Sequence, residues 1–287
     1  MFATLLSALP RPDGQGAGKD ASPDDIERLI EVAVRAQEEA GLEPVTDGRL
    51  RARAFDEIPT PMAAVEQWRA TQSLTEQAAK QALPGPCSSS VELAALVEVV
   101  NALAEAGCPL VEIEENGIER LADQGGCDEF RRAHETLLER AGGTHLSLSI
   151  VGGAPDQNAW ESVLGLGYAS LALDLINGPD SWNLVTRWAG ERGVVAGVES
   201  GRAADEPKEV LLWAAHYAAS TQHRGLERVG LGSAGSWANL TWVAAVRKMR
   251  LLGEAARLAS MPPGEDLYRS LDPRAVSPRR AALGHDG

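Results

Sequence analysis

The chain has 287 residues, 44% of them hydrophobic, with a formal net charge of −14 and a pI near 4.9. That length is ample for one large core, and so acidic a surface repels phosphate backbones, which excludes nucleic acid as a partner class. No run approaches the ~18 apolar residues of a membrane-crossing helix, and Cys87, Cys108 and Cys127 fit a reducing cytoplasm better than a disulfide framework.

Residues 1–10 are apolar with no basic segment ahead of them, so they read as a first strand, 3–9, rather than a leader. A Gly- and Asp-rich loop, 12–22, follows. Residues 24–40 form an amphipathic helix, with Ile26, Leu29, Ile30, Ala33 and Val34 at helical spacing. A strand at 43–46 and a mostly polar helix at 60–80 come next. Strands are then predicted at 81–84, 110–113, 145–151, 169–173, 194–198 and 228–231. Helices are predicted between and after them at 91–106, 128–141, 157–166, 180–191, 207–223 and 236–258. Ser22-Pro23, Pro179-Asp180 and Glu206-Pro207 mark helix starts, and Ser90 and Ser236 are N-cap candidates.

Eight strands separated by helices call for parallel βαβ units. They predict an α/β fold, a single (β/α)8 TIM barrel over 1–258; an open doubly wound sheet is the alternative. Beyond it, 259–287 is an Arg- and Pro-rich extension, read as partly disordered.

In such barrels the active site lies at the carboxyl ends of the strands. That rule selects Ser7, Asp47, Cys87, Glu114, Glu115, Ser149, Asp174, Glu199, Arg202 and Ser233. Several acids converging on one mouth suit a cation, an amine or proton transfer. Glu114, Glu115 and Asp174 are the catalytic candidates; crowding raises one carboxyl's pKa and fits it for general acid work. Solvated loop acids are the competing reading. Asp47-Gly48 could equally be a turn. Cys87, after Pro84-Gly85-Pro86 and ahead of a helix, sits where thiol pKa falls, or else simply lines a pocket. The run 231–236 with Arg202 could hold an anion. His134, His216 and His223 fall in helices as packing or surface residues. No Cys-x-x-Cys or His-Glu-x-x-His spacing exists, and no closed zinc site can be assembled.

Several segments carry a family resemblance. Thr4 to Arg11, Gly41 to Gly48, Pro84 to Cys87 and Val111 to Glu115, in that order, resemble the catalytic barrel of cobalamin-independent methionine synthase. The wider superfamily includes uroporphyrinogen decarboxylase, whose Arg-rich opening signature is absent here. The resemblance implies amino-acid contact by Glu114 and Glu115, and a zinc site that activates a thiol. It places that site's ligands at Ser149, Val151, Asp174 and Ala234. Only Asp174 has a ligating side chain suited to zinc. Arg49 stands where the family has an acid after its glycine, which counts against recognition of an ammonium there.

The leading expectation is a divergent, metal-free barrel enzyme for a small polar substrate, an amine or amino-acid derivative. Group transfer fits it, with Ser7, Asp47, Cys87, Ser149, Glu199, Arg202 and Ser233 binding. No cofactor is predicted, and no folate donor site can be read from spacing. One alternative is a non-catalytic ligand-binding barrel. Another is a zinc thiol methyltransferase rebuilt around Cys87 and Asp174.

Overall fold

The computed structural model describes residues 1–12, 22–88, 92–118, 121 and 123–262. Ser90, most of the 12–22 loop and residues 263–287 of the extension lie outside them. Seven strands form one sheet: β1 (Phe2–Thr4), β2 (Gln81–Pro84), β3 (Leu110–Asn116), β4 (His145–Val151), β5 (Ser170–Asp174), β6 (Gly193–Ser200) and β7 (Val229–Ala234). Their order is β1-β7-β6-β5-β4-β3-β2, every pair parallel.

The expected strand at 43–46 is reduced to a single bridge, Val45 to Ala79. Pro44 has no N–H to donate, so a ladder cannot run through it. The segment still joins the two edges. Glu43 N donates to Ala3 O at 2.8 Å, Val45 N to Ala78 O at 2.9 Å, and Lys80 N to Val45 O at 2.9 Å. Gln37 supplies what the ladder lacks. Its Oε1 accepts from Thr46 N at 2.9 Å and its Nε2 donates to Thr46 O at 2.7 Å.

Among the described residues, eight α-helices surround the sheet: α1 (Pro23–Glu39), α2 (Pro61–Gln72), α3 (Leu93–Glu105), α4 (Gln124–Arg140), α5 (Trp160–Leu164), α6 (Trp182–Arg187), α7 (Lys208–Ser220) and α8 (Trp242–Ala259). Several are shorter than the sequence pattern suggests, α2, α5 and α6 most of all. α2 stops at Gln72, whose amide turns onto Gln77 O and Ala79 N at 2.8 and 2.9 Å. α5 and α6 each follow a 3-10 turn. α8 starts six residues after Ser236, with Thr241 as its N-cap; the Ser236 hydroxyl instead accepts from Ala238 N at 3.2 Å.

Alternation sorts the side chains. Val111, Ile113, Leu146, Leu148, Leu171 and Leu173 face the helices in the main core. Glu112, Glu114, Ser147, Ser149, Ser170 and Ala172, the alternate residues, face the axis. Phe2, Leu6, Ala172 and Val195 form a small second cluster there.

At Gly253, α8 lies against the end of α1: a Cβ there would stand 1.7 Å from Ala40 O. Gly→Ala inside a helix ordinarily stabilises by about 1 kcal/mol. Gly253→Ala is expected to do the reverse, lowering stability by roughly 1–3 kcal/mol through overpacking. Thermal unfolding reads the sign; a raised melting temperature would refute the close approach.

Candidate active site

The carboxyl ends of the strands open onto two adjoining cavities. One, about 300 Å³, is lined by Ser7, Ala8, Arg49, Ala52, Arg53, Ala54, Phe55, Asn116, Val151, Gly152 and Ser236. The other, about 260 Å³, is lined by Gly152, Asp174, Asn177, Gly201, Arg202, Ala234, Gly235 and Ser236. Gly152 and Ser236 belong to both. Ser7 and Arg49 hold positive φ angles of 61° and 54°. Non-glycine residues are rare in that region and cluster at functional sites.

Three acids at this end, Glu114, Asp47 and Glu199, have cationic partners, against the expectation of an acidic mouth. Glu114, wholly buried, accepts from Arg49 Nη1 at 2.6 Å. Burial pushes its carboxyl up to about 7, and Arg49 restrains that rise. Among the described residues its Oε1 has no hydrogen-bond partner, nor has Ser149 Oγ. Arg49 also donates to Phe55 O and lies over the Phe55 ring, 4.7 Å from its centroid. Asp47 accepts from Arg49 N at 2.9 Å and pairs with Arg51 at 3.1 Å. Glu199 pairs with buried Lys248 from α8; burial raises its pKa and Lys248 opposes the rise. Beneath Glu114, Lys80 and Glu112 form a further buried pair at 2.6 Å.

Asp174 lines the smaller cavity, but its oxygens already accept from Ile176 N, Asn177 N and Asn177 Nδ2, at 3.1, 2.9 and 2.7 Å. Arg202 is exposed at the rim of the same cavity. Ser233 points away from both: its hydroxyl donates to Leu6 O at 3.0 Å and accepts from Leu6 N at 2.7 Å, fastening β7 to the chain beyond β1.

Glu115 and Cys87 leave the mouth as well. Glu115 turns to the helix side of β3. Its Oε1 meets His134 Nε2 at 2.9 Å and accepts from Cys87 N at 2.9 Å, while Oε2 accepts from the Ser88 hydroxyl. His134 Nδ1 lies 2.7 Å from Tyr168 Oη. Helical position alone gave no sign that His134 is buried against a strand carboxylate. Cys87 is exposed as a residue, yet its sulfur lies within 4.8 Å of the Glu115 and His134 ligand atoms. The expected low thiol pKa is overturned: burial of the thiol, then Glu115 and Glu129, push it up to about 12. Cys127, one residue ahead of the helix predicted at 128–141, is buried in α4.

The positions to which the resemblance assigned zinc lie around the mouth. Val151 lines the larger cavity, Asp174 and Ala234 the smaller, and Ser149 is buried two residues before Val151 on the same strand. A hydroxyl, an isopropyl and a methyl group do not replace imidazole and thiolates. The one remaining carboxylate is taken up by its own loop. These residues do not fit a zinc ion.

No known protein family matches this sequence, and no curated protein matches it. Among solved structures, the chain is similar to a B12-independent methionine synthase from Shewanella sp. W3-18-1 in complex with selenomethionine. The TM-score is 0.70 at 15% identity, over 89% of this chain and 96% of that one. DHDPS from Cyanidioschyzon merolae with lysine bound gives a TM-score of 0.54 at 10% identity, over 94% and 80% of the two chains. The homocysteine methyltransferase MmuM from Escherichia coli gives 0.51 at 11%, over 90% and 96%. At these identities the likeness is one of fold: a parallel, curled α/β sheet of the TIM-barrel type. No helix among the described residues is long and apolar enough to cross a membrane.

Proposed function

We propose that the chain is a barrel enzyme for a small amino-acid-like substrate, of group-transfer or lyase type, on a divergent methionine-synthase-like (β/α)8 scaffold without the lumenal zinc. The observation that carries the reading is the charge layout of the mouth. Arg49 and Arg53 line the larger cavity, which no carboxylate lines; Asp174 and Arg202 line the smaller. A carboxylate end would sit against Arg49 and Arg53, and a polar or cationic end near Asp174. Guanidinium forks suit carboxylates. Glu114 touches Arg49 and not the cavity, so it is a positioning residue that holds the guanidinium. The chain's free cysteines suit a cytoplasmic location. Of the two expected substrate classes, amine or amino-acid derivative, this favours the second, because Glu114 is already paired with Arg49 and Glu115 lies outside the mouth.

The test is calorimetric titration with an amino acid series, such as methionine, homocysteine and lysine, beside the matching decarboxylated amines. Amino acids are expected to bind and the amines to fail. Arg53→Ala should weaken binding by about 1.5–3 kcal/mol, the range of a hydrogen bond to a charged group. Amines binding as tightly as amino acids would sink the proposal. A second reading, a barrel that binds without turnover, draws on Asp174's committed oxygens; binding with no product on prolonged incubation would favour it.

A further inference from the structure

Cys87, Glu115 and His134 converge outside the mouth, from the loop after β2, from β3 and from α4. Their ligand atoms lie within 4.8 Å of one another. Bonds of about 2.0–2.3 Å at tetrahedral angles place zinc ligands roughly 3.3–3.8 Å apart. The trio is within about an ångström of that spacing. Glu115 and His134 are buried, while Cys87 is exposed as a residue with its sulfur close against them.

The imidazole is held as metal-binding imidazoles are held. Tyr168 Oη is 2.7 Å from Nδ1, and the Phe130 ring lies 4.3 Å away between centroids. With Nε2 on a metal, the ring proton sits on Nδ1 and donates to Tyr168, the outer partner that fixes tautomer and orientation. The Nε2-to-Glu115 hydrogen bond is the arrangement two ligands adopt without an ion between them. We propose that Cys87, Glu115 and His134 form a zinc site with one coordination position left open, distinct from the mouth. Sulfur and imidazole together select zinc over magnesium or calcium. Binding releases the Cys87 proton to solvent, so affinity rises with pH.

The full chain, loaded with zinc and then dialysed, is expected to retain a stoichiometric ion, and Cys87→Ser to lose it. Cys87 is exposed, so that variant keeps its fold, which circular dichroism verifies. Cobalt(II) provides the second readout: a thiolate-to-cobalt charge-transfer band in the native chain, absent in Cys87→Ser and present in Cys108→Ser. Tyr168→Phe should keep the band and weaken metal affinity by about 10–100-fold. Zinc retained by Cys87→Ser would place the ion elsewhere, at the mouth positions included, and overturn the proposal. A native chain that binds neither metal would overturn it too. Neither result bears on amino-acid binding at the mouth.

Discussion

Replacing Arg49 with Met is expected to cost about 3–5 kcal/mol of folding stability near pH 8, because it strands a buried carboxylate. The pair is closed to solvent: the side chains of Arg49 and Glu114 are 6% and 0% exposed. The deficit should depend on pH, and its sign follows from Glu114. The folded carboxyl is raised to about 7, from an ordinary 4.5. Between those values the folded state binds the proton and the unfolded state does not, so stability falls as pH rises. The contribution is fully present below about pH 4.5 and is lost as pH climbs toward 7. Without Arg49 the folded carboxyl rises further, and the decline continues past neutrality. Urea unfolding of both proteins at about pH 5 and pH 8 measures this, with the gap narrow at the lower pH and wide at the higher. A gap of equal size at both would mean that Arg49 matters only through its packing on Phe55.

Lys80→Met should be as damaging, and partly reversible by a second change. Lys80 and Glu112 are 1% and 2% exposed, and Glu112 Oε1 has no hydrogen-bond partner. Removing the lysine alone leaves a bare carboxylate in the lumen, again at about 3–5 kcal/mol. Removing both charges, as Lys80→Met with Glu112→Leu, should recover most of that loss, since well-packed apolar replacements of buried pairs are often neutral. Chemical denaturation of the two single variants and the double variant supplies the cycle. A double variant no better than Lys80→Met would assign the cost to shape rather than charge. Glu112 raises Glu114 and Lys80 lowers it, so the double variant removes two opposing influences on that carboxyl together.

Period-two and period-3.6 patterns carry the scaffold. The predicted strands 81–84 and 145–151 coincide with β2 and β4, and the first helix is displaced by one residue. Patterning failed where backbone chemistry overrode it, at Pro44 and at Gln72. The strand-end rule singled out Glu114, Asp174 and Ser7, of which Ser7 and Asp174 line the two cavities and Glu114 is buried behind Arg49. It could not supply their partners, because those come from distant segments: Arg49 lies 65 residues before Glu114, and Lys248 lies 49 after Glu199. Ser233 shows the same limit from the other side. A hydroxyl at a strand end is a binding group or a fastener according to what faces it, here Leu6. Arg49 was the legible clue to these pairings, a cation just after Gly48 at a strand end.

The seam at 43–46 bears on how the mouth can change. Every other junction in the sheet is a ladder, whereas this one rests on three backbone bonds, the Gln37 amide and two side-chain bonds, Thr4 Oγ1 to Pro44 O at 2.7 Å and Ala78 N to Glu43 Oε1 at 3.2 Å. Local opening of a fold begins where cooperative bonding is thinnest. The segment that would open first runs directly into Asp47 and Arg49. A fluctuation there would carry the guanidinium away from Glu114 and release its proton-binding site to water. The charge that greets a ligand is thus hinged to the least-tied stretch of the ring, and a ligand that bridges Arg49 to the opposite wall would act as a clasp on it.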